Sequence, residues 1–388
     1  MSIRVTAAKL FHFVKGVKAQ KGLARKCKYC HFYRLADRNG VVFFRLDRVA
    51  ADYTNDYFAD TGIDRKEKEW YYRRGIPTFK VRYYGMTKEN YNDYISDFDF
   101  YSAKNYCSTV FSQWYDHKLT TYYLLGAYNK YMPRHYYYIR KGKPVPIDID
   151  PGAGNDIEDI LSLLERGELA LKSCTGGHGK GFYKIEKRQE GYCINNQKAD
   201  RDRIRELLLS LDDYIVTDYC TPHKVFRDAC GEQAFAILRP VVIYDEDDGP
   251  QITSILFRLG TSKAGLISDY DGCINCGVDL KTGKIFHPVI RSGDSQGIIL
   301  ASPISEHPDT GVDLETITVP DFDAFIQLIK EVSAHLPVTP FLVLDIVPTD
   351  SGYRILEINS HGQVKHAEPF FPFRKNKYNL KAFVTKDR

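Results

Sequence analysis

Three residues near the carboxyl end of the chain have the types and spacing of a metal site. Glu357 and Asn359 are two residues apart in an apolar segment, so in a β-strand their side chains point to the same face. Asp345 is the one acidic residue of the apolar segment 341–347, and the turn at 350–352 predicts that the two segments pair as a hairpin. Two carboxylates and an amide oxygen are hard ligands that suit a Mg²⁺ ion bridging nucleotide phosphates. Acidic side chains in an apolar hairpin are costly without a cation, so we predict a magnesium site rather than a purely structural role.

A glycine-rich segment has the composition of a phosphate-binding loop. Four glycines fall within six residues, namely Gly176, Gly177, Gly179 and Gly181. Because no side chain obstructs them, the backbone N–H groups of such a loop can close on an anion, which Lys172 at the end of the leading strand would also meet. No helix begins after the loop, so it is neither a Walker loop nor a dinucleotide fingerprint. We predict a hairpin that covers phosphates; a flexible hairpin tip without a ligand remains the alternative.

The segment 214–220 is an apolar strand that runs into a polar edge. Such an edge presents alternating backbone C=O and N–H groups, which can pair with an adenine ring. Thr217, Asp218 and Cys220 are therefore candidate nucleotide contacts. An ordinary buried strand has the same pattern and stays open as an alternative.

The elements that must position these residues follow from hydrophobic periodicity. Helical spacing predicts helices at 111–128, 156–166, 201–211 and 322–335, and a basic amphipathic helix through Leu10 and Val17. Apolar runs predict strands at 41–44, 169–172, 181–185, 214–217, 236–244, 252–259, 341–347 and 353–358. Pro144 and Pro146 indicate an extended linker, and the tyrosine-rich stretch 53–101 has no clean period. The mixture indicates an α+β protein with a helical or mixed amino-terminal part.

Length and composition define the broad class. The 388 residues predict two or three folding units, and 43% hydrophobic with 27% charged residues is typical of soluble globular proteins. No run approaches the ~20 consecutive apolar residues of a membrane span, and the first residues lack the apolar core of a signal peptide. We therefore expect a cytoplasmic protein whose nine cysteines are thiols.

Two C-x-x-C pairs raise the hypothesis of a zinc site. Cys27/Cys30 and Cys273/Cys276 could together offer four thiolate ligands. The pairs lie far apart in the chain, and the second falls in a glycine-rich turn. We therefore do not expect zinc.

The charge of the chain is unevenly distributed. Residues 1–50 carry a net charge of +10 and residues 371–388 a net charge of +5, although the whole chain carries only +4. So mild a total argues against a general nucleic-acid binder. The basic ends predict attraction to an anionic acceptor through Lys15, Lys18 and Lys21, or peripheral association with a membrane surface. A solvated basic face, or a helix docked on the protein's own core, is the alternative.

The order of these segments resembles that of the ATP-grasp superfamily: a lysine strand, a glycine-rich flap, an adenine strand, and then Asp and Glu-x-Asn. It is similar in more detail to the sugar-transfer-associated ATP-grasp family. Further segments occur in that family's order: Asp116-His117-Lys118, Pro222-His223, Arg239-Pro240-Val241-Val242, Phe257-Arg258-Leu259-Gly260, Asp269, Gly272, the run 277–283, His307-Pro308-Asp309-Thr310-Gly311 and Val319-Pro320. Thr217 stands where that family usually has Glu, and Cys273 and Cys276 fall near its paired glycines. The resemblance covers about residues 116–360.

The resemblance implies an ATP-grasp fold, in which two α+β subdomains clasp ATP. A basic, tyrosine-rich region of unassigned fold would occupy residues 1–115, the ATP-grasp domain 116–370 and a basic tail 371–388. Within the domain, the flap subdomain would span about 140–220 and the metal-binding subdomain about 221–370.

The resemblance also implies a role for each site residue, with ATP and Mg²⁺ as cofactors. Lys118 and Lys172 would neutralise the α- and β-phosphates, and Arg239 would hold the γ-phosphate or an acyl phosphate, so that Arg239 and Lys172 act in catalysis. The remaining nucleotide contacts would be Gly176, Gly177, His178, Gly179, Gly181, Thr217, Asp218 and Cys220, and the metal ligands Asp345, Glu357 and Asn359. Lys365 and His366, just past the metal strand, could recognise an acidic substrate; a solvated charged pair is the alternative.

ATP-grasp enzymes mostly phosphorylate a carboxylate, which an amine or another nucleophile then attacks. The resemblance therefore implies an ATP-dependent carboxylate–amine ligase in bacterial surface polysaccharide or related conjugate biosynthesis. Its substrates would be ATP, a small-molecule or glycan carboxylate, and an amine. A phosphotransferase that acts on a sugar or other hydroxyl is the alternative, because both reactions share the ATP half of the site. A nucleotide-binding module without turnover would not need a complete metal triad.

Overall fold

The computed structural model describes residues 22–384, apart from residues 104–113, 149–153, 177–178, 180, 190, 232–234, 265–271, 294–298, 337–338, 340 and 361. The predicted basic helix through Leu10 and Val17 lies outside these residues, as do Lys15, Lys18 and Lys21.

The chain divides into two compact units. Unit 1 comprises residues 1–109, 291–302 and 363–388, and unit 2 comprises residues 110–290 and 303–362. The sequence placed the corresponding boundaries at 115/116 and 370/371.

The α-helices are numbered here in chain order. Their bounds are α1 Leu23–Arg38, α2 Phe43–Phe58, α3 Arg65–Tyr72, α4 Thr78–Tyr83, α5 Asp97–Ser102, α6 Lys118–Leu125, α7 Ile157–Leu163, α8 Arg201–Ser210, α9 Lys224–Cys230, α10 Phe322–His335 and α11 Lys377–Phe383. Short 3₁₀ helices lie at Tyr91–Asp93, Gly126–Tyr131, Leu314–Thr316 and Phe373–Lys375. The helices predicted at 156–166, 201–211 and 322–335 are confirmed, and the one predicted at 111–128 is shorter in the described residues.

Aromatic rings form much of the core of unit 1. Phe32 of α1 lies edge-on to Tyr53 of α2 and to Tyr72 of α3, with ring centroids 5.7 and 5.0 Å apart. Tyr53 in turn stacks on Phe98 of α5 at 6.1 Å. Such pairs stabilise a core beyond the area that they bury. At the carboxyl end, the rings of Phe383 in α11 and Phe100 lie next to each other, with centroids 5.4 Å apart.

A buried carboxylate joins three helices of unit 1. Asp56 near the end of α2 accepts hydrogen bonds from the Tyr72 hydroxyl, from the Thr78 N–H and hydroxyl, and from the Phe79 N–H. Since both carboxylate oxygens have donors, the charge is satisfied in the interior. The sequence stretch 53–101, which had no clean period, is thus a set of short helices joined by polar contacts.

The predicted strand at 41–44 is wrong. Val41 and Val42 precede α2, which begins at Phe43. Leu46, Val49 and Tyr53 recur at helical spacing and are buried, so the amphipathic helical period outweighs the β-propensity of four residues.

Unit 2 contains a first seven-stranded sheet in the order β2-β1-β7-β3-β4-β5-β6. Its strands are β1 His135–Arg140, β2 Lys143–Pro146, β3 Leu169–Ser173, β4 Tyr183–Arg188, β5 Gly191–Ile194, β6 Gln197–Ala199 and β7 Tyr214–Asp218. The strands predicted at 169–172, 181–185 and 214–217 are confirmed. The linker predicted at Pro144 and Pro146 is instead the edge strand β2, a position where missing backbone N–H groups are tolerated. Side chains of α7 and α8 complete the hydrophobic core of this sheet.

The second sheet has the order β12-β11-β10-β9-β8-β13-β14. Its strands are β8 Ala236–Asp245, β9 Gly249–Leu259, β10 Ile274–Val278, β11 Ile285–Gly293, β12 Ile299–Pro303, β13 Phe341–Thr349 and β14 Gly352–Asn359. The four strands predicted for this region are confirmed as β8, β9, β13 and β14. Helix α10 packs its buried face, including Phe325, Ile329 and Val332, into the same core.

None of the described helices is both long and apolar enough to cross a membrane.

The first residue of β1 predicts how the stability of the protein depends on pH. His135 is buried, its Nδ1 lies 2.8 Å from the Pro133 carbonyl oxygen, and its ring stacks on Tyr122 at 4.2 Å. Burial lowers the pKa of His135 to about 4, against about 6.5 in the unfolded chain. Between these two values the unfolded chain binds a proton that the folded chain does not. The free energy of unfolding therefore falls as the pH falls, by about 3 kcal/mol in total from this group.

Urea denaturation at pH 7 and pH 4 tests this expectation. Lowering the pH from 7 to 4 should reduce the unfolding free energy of the wild type by about 3 kcal/mol more than that of His135→Gln. An unchanged pH dependence in His135→Gln would contradict the assignment.

Candidate active site

The hairpin of β13 and β14 brings two carboxylates face to face. Asp345 and Glu357 are direct cross-strand partners, and Asn359 lies two residues further along β14 opposite Val343. The strands are held in this register by buried neighbours such as Leu344 and Ile358. The sequence-predicted metal residues therefore stand on one hairpin with the spacing that their alternation requires.

Each of the two carboxylates has a cation from another element of unit 2. Arg239 in β8 forms an ion pair with Asp345. Lys118 at the start of α6 places its Nζ 3.5 Å from Glu357 Oε1. Burial raises the pKa of Glu357 above its usual range; Lys118 opposes this shift, and Asp345 adds to it. The site is thus a partly buried cluster in which each carboxylate lies next to a cation.

The glycine-rich segment joins the antiparallel strands β3 and β4, as predicted, with Leu169 paired to Ile185. Lys172 lies on β3 opposite Ile215, and burial lowers the pKa of its ammonium. Gly181 has φ 73°, and a Cβ there would lie 2.3 Å from Tyr214 Oη, so only glycine fits without rearrangement. Gly176 and Gly179 are described, whereas Gly177 and His178 lie outside the described residues.

Asp213, just before β7, binds the beginning of this glycine-rich segment. Its carboxylate accepts hydrogen bonds from the Tyr138 hydroxyl at 3.1 Å and the Thr175 hydroxyl at 3.3 Å, and it lies 3.4 Å from His117 Nε2. Its carbonyl oxygen accepts from the Cys174 N–H at 2.8 Å. The sequence offered no signal for this residue, because its partners come from three separate segments.

Within the described residues, His117, Cys174 and Asp213 are also the one group of three potential metal-ligating side chains whose ligand atoms all lie within 4.8 Å of one another. Burial raises the pKa of the Cys174 thiol to about 12. His117 caps α6, because its Nδ1 accepts a hydrogen bond from the Thr120 N–H. Its Nε2 then faces Asp213. Hydrogen bonding and the ion pair therefore account for His117 and Asp213, and burial keeps the Cys174 thiol protonated. Neither C-x-x-C pair belongs to such a group in the described part of the chain.

Asp116 is a second residue that sequence reasoning did not single out by role. Its carboxylate accepts hydrogen bonds from the N–H and the hydroxyl of Ser360, at 3.1 and 3.2 Å. Ser360 directly follows Asn359. The neighbouring Lys118 donates to the Gly176 carbonyl at 2.8 Å. The segment 116–118 thus contacts the end of β14, the residue before β7 and the glycine-rich loop.

The predicted adenine strand β7 lies inside its sheet, between β1 and β3. Thr217 is fully buried, and its hydroxyl donates to the Asp218 carbonyl, so any contact of Thr217 with a base would come from its backbone. The Asp218 carboxylate accepts from the Tyr136 hydroxyl at 2.7 Å. Burial raises the pKa of the nearby Cys220 thiol. The positive charge of Lys172 is the strongest influence that lowers it. A cavity of about 310 Å³ lined by Asp218 and Arg354 opens at this strand end.

His223 caps helix α9. Its Nδ1 accepts from the Val225 N–H at 3.2 Å at the start of α9.

Comparison with known proteins gives a family match. The family model described as "Sugar-transfer associated ATP-grasp" matches residues 99–368. No protein of curated function matches the chain at a significant level. The described α+β architecture, with two antiparallel seven-stranded sheets, is that of the ATP-grasp fold.

Several solved structures share weak similarity with the chain. The VanG D-Ala:D-Ser ligase from Enterococcus faecalis has 12% identity and a TM-score of 0.37, with 69% of this chain and 61% of that chain covered. The D-alanine–D-alanine ligase from Bacillus anthracis complexed with ATP has 11% identity and a TM-score of 0.35, covering 71% and 67%. The ADP complex of N5-carboxyaminoimidazole ribonucleotide synthetase has 12% identity and a TM-score of 0.35, covering 65% and 46%. The chain thus spans between about half and two thirds of these structures, and the family assignment rests on the match over residues 99–368.

The hydrogen bonds of Asp213 predict that this residue holds the beginning of the glycine-rich loop. Asp213→Ala leaves the Tyr138 and Thr175 hydroxyls without their acceptor, so we expect the free energy of unfolding to fall by about 2–3 kcal/mol. Amide hydrogen exchange at Cys174 and Thr175 should become faster. The adjacent Asp212, which accepts an exposed hydrogen bond from the Lys141 N–H, is the matched control. Equal exchange in Asp213→Ala and Asp212→Ala would contradict the role of Asp213.

Proposed function

The chain belongs to the sugar-transfer associated ATP-grasp family, and from this membership we propose that it is an ATP-dependent carboxylate–amine ligase. The observation that supports the proposal is that two cations of unit 2 lie next to its two carboxylates: Lys118 pairs with Glu357, and Arg239 pairs with Asp345. Cations that can bind phosphate and carboxylates that can bind a metal are what ATP-dependent activation requires. The family description supports a place in surface polysaccharide or related conjugate biosynthesis.

The proposed reaction has two steps. A carboxylate oxygen of the acceptor attacks the γ-phosphorus of ATP, the bond to the bridging oxygen breaks, and ADP leaves. The nitrogen of the amine then attacks the carbonyl carbon of the acyl phosphate, phosphate leaves, and the nitrogen loses a proton. No side-chain nucleophile is needed, so the work of the chain is to position the reactants and to stabilise charge.

The side chains of unit 2 can be given roles in these steps. Lys118 and Lys172 bind phosphate oxygens, and the lowered pKa of Lys172 reflects a desolvated ammonium that gains from an anionic partner. Arg239 stabilises the charge that develops on the transferred phosphoryl group. The glycine-rich segment, bound at its beginning by Lys118 and Asp213, covers the phosphates and excludes water. Thr217, Asp218 and Cys220 border the base.

Asp345, Glu357 and Asn359 fit a magnesium ion by the chemistry of their donor atoms. Two carboxylates and an amide oxygen are hard oxygen ligands, and because burial raises the pKa of Glu357, a bound cation would favour its ionised form. When bound, Mg²⁺ would neutralise charge on the phosphates of ATP.

The donor set predicts that Mg²⁺-ATP stabilises the protein against heat. At ligand a hundredfold above Kd the added stability should be about 2.7 kcal/mol, measurable as a rise in Tm. Glu357→Gln should abolish the rise, because the amide removes one charge of the metal pair. The exposed Glu206 on α8 is the matched control, and Glu206→Gln should keep the rise. A wild type that does not respond to saturating Mg²⁺-ATP would overturn the proposed metal site.

Analysis of products separates a ligase from a phosphotransferase. A screen of carboxylates, including uronic acids, with amines such as amino acids should give ADP and free phosphate only when both substrates are present. Lys118→Met should lower this rate at least about a hundredfold, because phosphate charge loses a fixed cation. Formation of ADP together with a phosphorylated hydroxyl acceptor, and no free phosphate, would show the phosphotransferase instead.

A further inference from the structure

A small cavity in unit 1 is unconnected with the roles assigned so far. It has a volume of about 40 Å³ and lies between α2, α4, α5 and the segment 363–368. Six of the twelve residues that line it are charged: Arg48, Asp52, Lys80, Asp97, Lys365 and Glu368. Phe79 and Tyr101 add aromatic surface. A cavity of this size holds a few water molecules, or one group of about three heavy atoms such as a carboxylate.

Most of these charges are already paired. Lys80 Nζ lies 2.7 Å from Asp97 Oδ1 and 3.9 Å from Glu368 Oε2. Arg48 lies 3.8 Å from Asp52, one helical turn away on α2. Lys365 has no ion pair within the described residues, and its Nζ lies over the ring of Phe79 at 5.4 Å. The positive charge that remains for a ligand is therefore that of Lys365.

Glu368 is the second group with unused bonding capacity. It is fully buried; its Oε1 accepts from the Ile95 N–H, but its Oε2 has no hydrogen-bond partner among the described residues. Burial raises the pKa of Glu368 to about 7, so near neutral pH part of the population is protonated and can donate. With Glu368 protonated, the cations around the cavity outnumber the anions.

From these contacts we infer that the cavity binds the carboxylate group of a small organic acid, with Lys365 as its counter-ion and Glu368 as a hydrogen-bond partner. This site is separate from the proposed ligase reaction, because every residue that lines it belongs to unit 1. Because the cavity takes only a small group, it recognises the carboxylate, and the rest of the ligand lies outside it.

Acetate and acetamide are the probes that test the inference on the full chain. They have nearly the same shape, and only acetate is charged. At constant ionic strength, acetate should raise the Tm of the wild type more than acetamide does. Lys365→Gln should weaken acetate binding at least about tenfold, the usual loss for a charged hydrogen bond. The exposed Lys375, which pairs with Asp93, is the matched control, and Lys375→Gln should bind acetate as the wild type does.

The pH dependence gives a readout that does not require a variant to fold. Lys365 is faced by Asp52 and Arg48 from α2, by Lys80 from α4, by Asp97 from α5, and by Arg291 and Glu368. Burial lowers the pKa of Lys365 to about 8. Acetate affinity should therefore fall as the pH rises from 7 to 9, and Lys365→Arg should keep its affinity at pH 9.

The failure of this inference is distinguishable from failure of the proposed function. Equal effects of acetate and acetamide on the wild type, or unchanged acetate binding in Lys365→Gln, would overturn the cavity assignment while Mg²⁺-ATP still stabilised the protein. Loss of the response to Mg²⁺-ATP in the wild type would overturn the ligase proposal, whatever acetate does.

Discussion

The site depends on one electrostatic constraint: two partly buried carboxylates face each other across a single hairpin. Asp345 and Glu357 are fixed opposite each other by the register of β13 and β14. The negative charges of two directly paired carboxylates repel each other, and burial makes their ionised forms costly. Each therefore requires a cation, which Arg239 supplies from β8 and Lys118 from α6. Backbone pairing of β8 with β13 brings Arg239 to the hairpin.

Three consecutive residues before and at the start of α6 bind three separate parts of unit 2. Asp116 accepts from Ser360 at the end of β14, His117 faces Asp213 before β7, and Lys118 contacts both Glu357 and Gly176. The segment therefore couples the carboxylate hairpin to the glycine-rich loop. A change in the charge at Glu357, for example on binding a cation, would change its attraction for Lys118 and so affect the hydrogen bond from Lys118 to Gly176 in the loop.

The sequence predicted the parts of this site that depend on local pattern. Alternation placed Glu357 and Asn359 on one face, and an apolar strand before a glycine-rich turn placed Lys172. Asp213 and Asp116 could not be predicted, because their partners are distant in the chain and neither residue has a periodic context. In unit 1, the helices α3, α4 and α5 have only eight, six and six residues, too few turns to show a clear helical period in the sequence between residues 53 and 101. The edge strand β2 was missed because its two prolines favour a linker in the absence of a known neighbour.

Binding of Mn²⁺ followed by electron paramagnetic resonance is the most direct test of the claim that the carboxylate pair forms the metal site. In the presence of saturating ADP, the wild type should bind Mn²⁺ at this site, and Asp345→Asn should weaken that binding at least about tenfold because one charged ligand is removed. Since the amide has the same shape as the carboxylate, the hairpin register should survive the change. Equal Mn²⁺ affinity in the wild type and in Asp345→Asn would contradict the account.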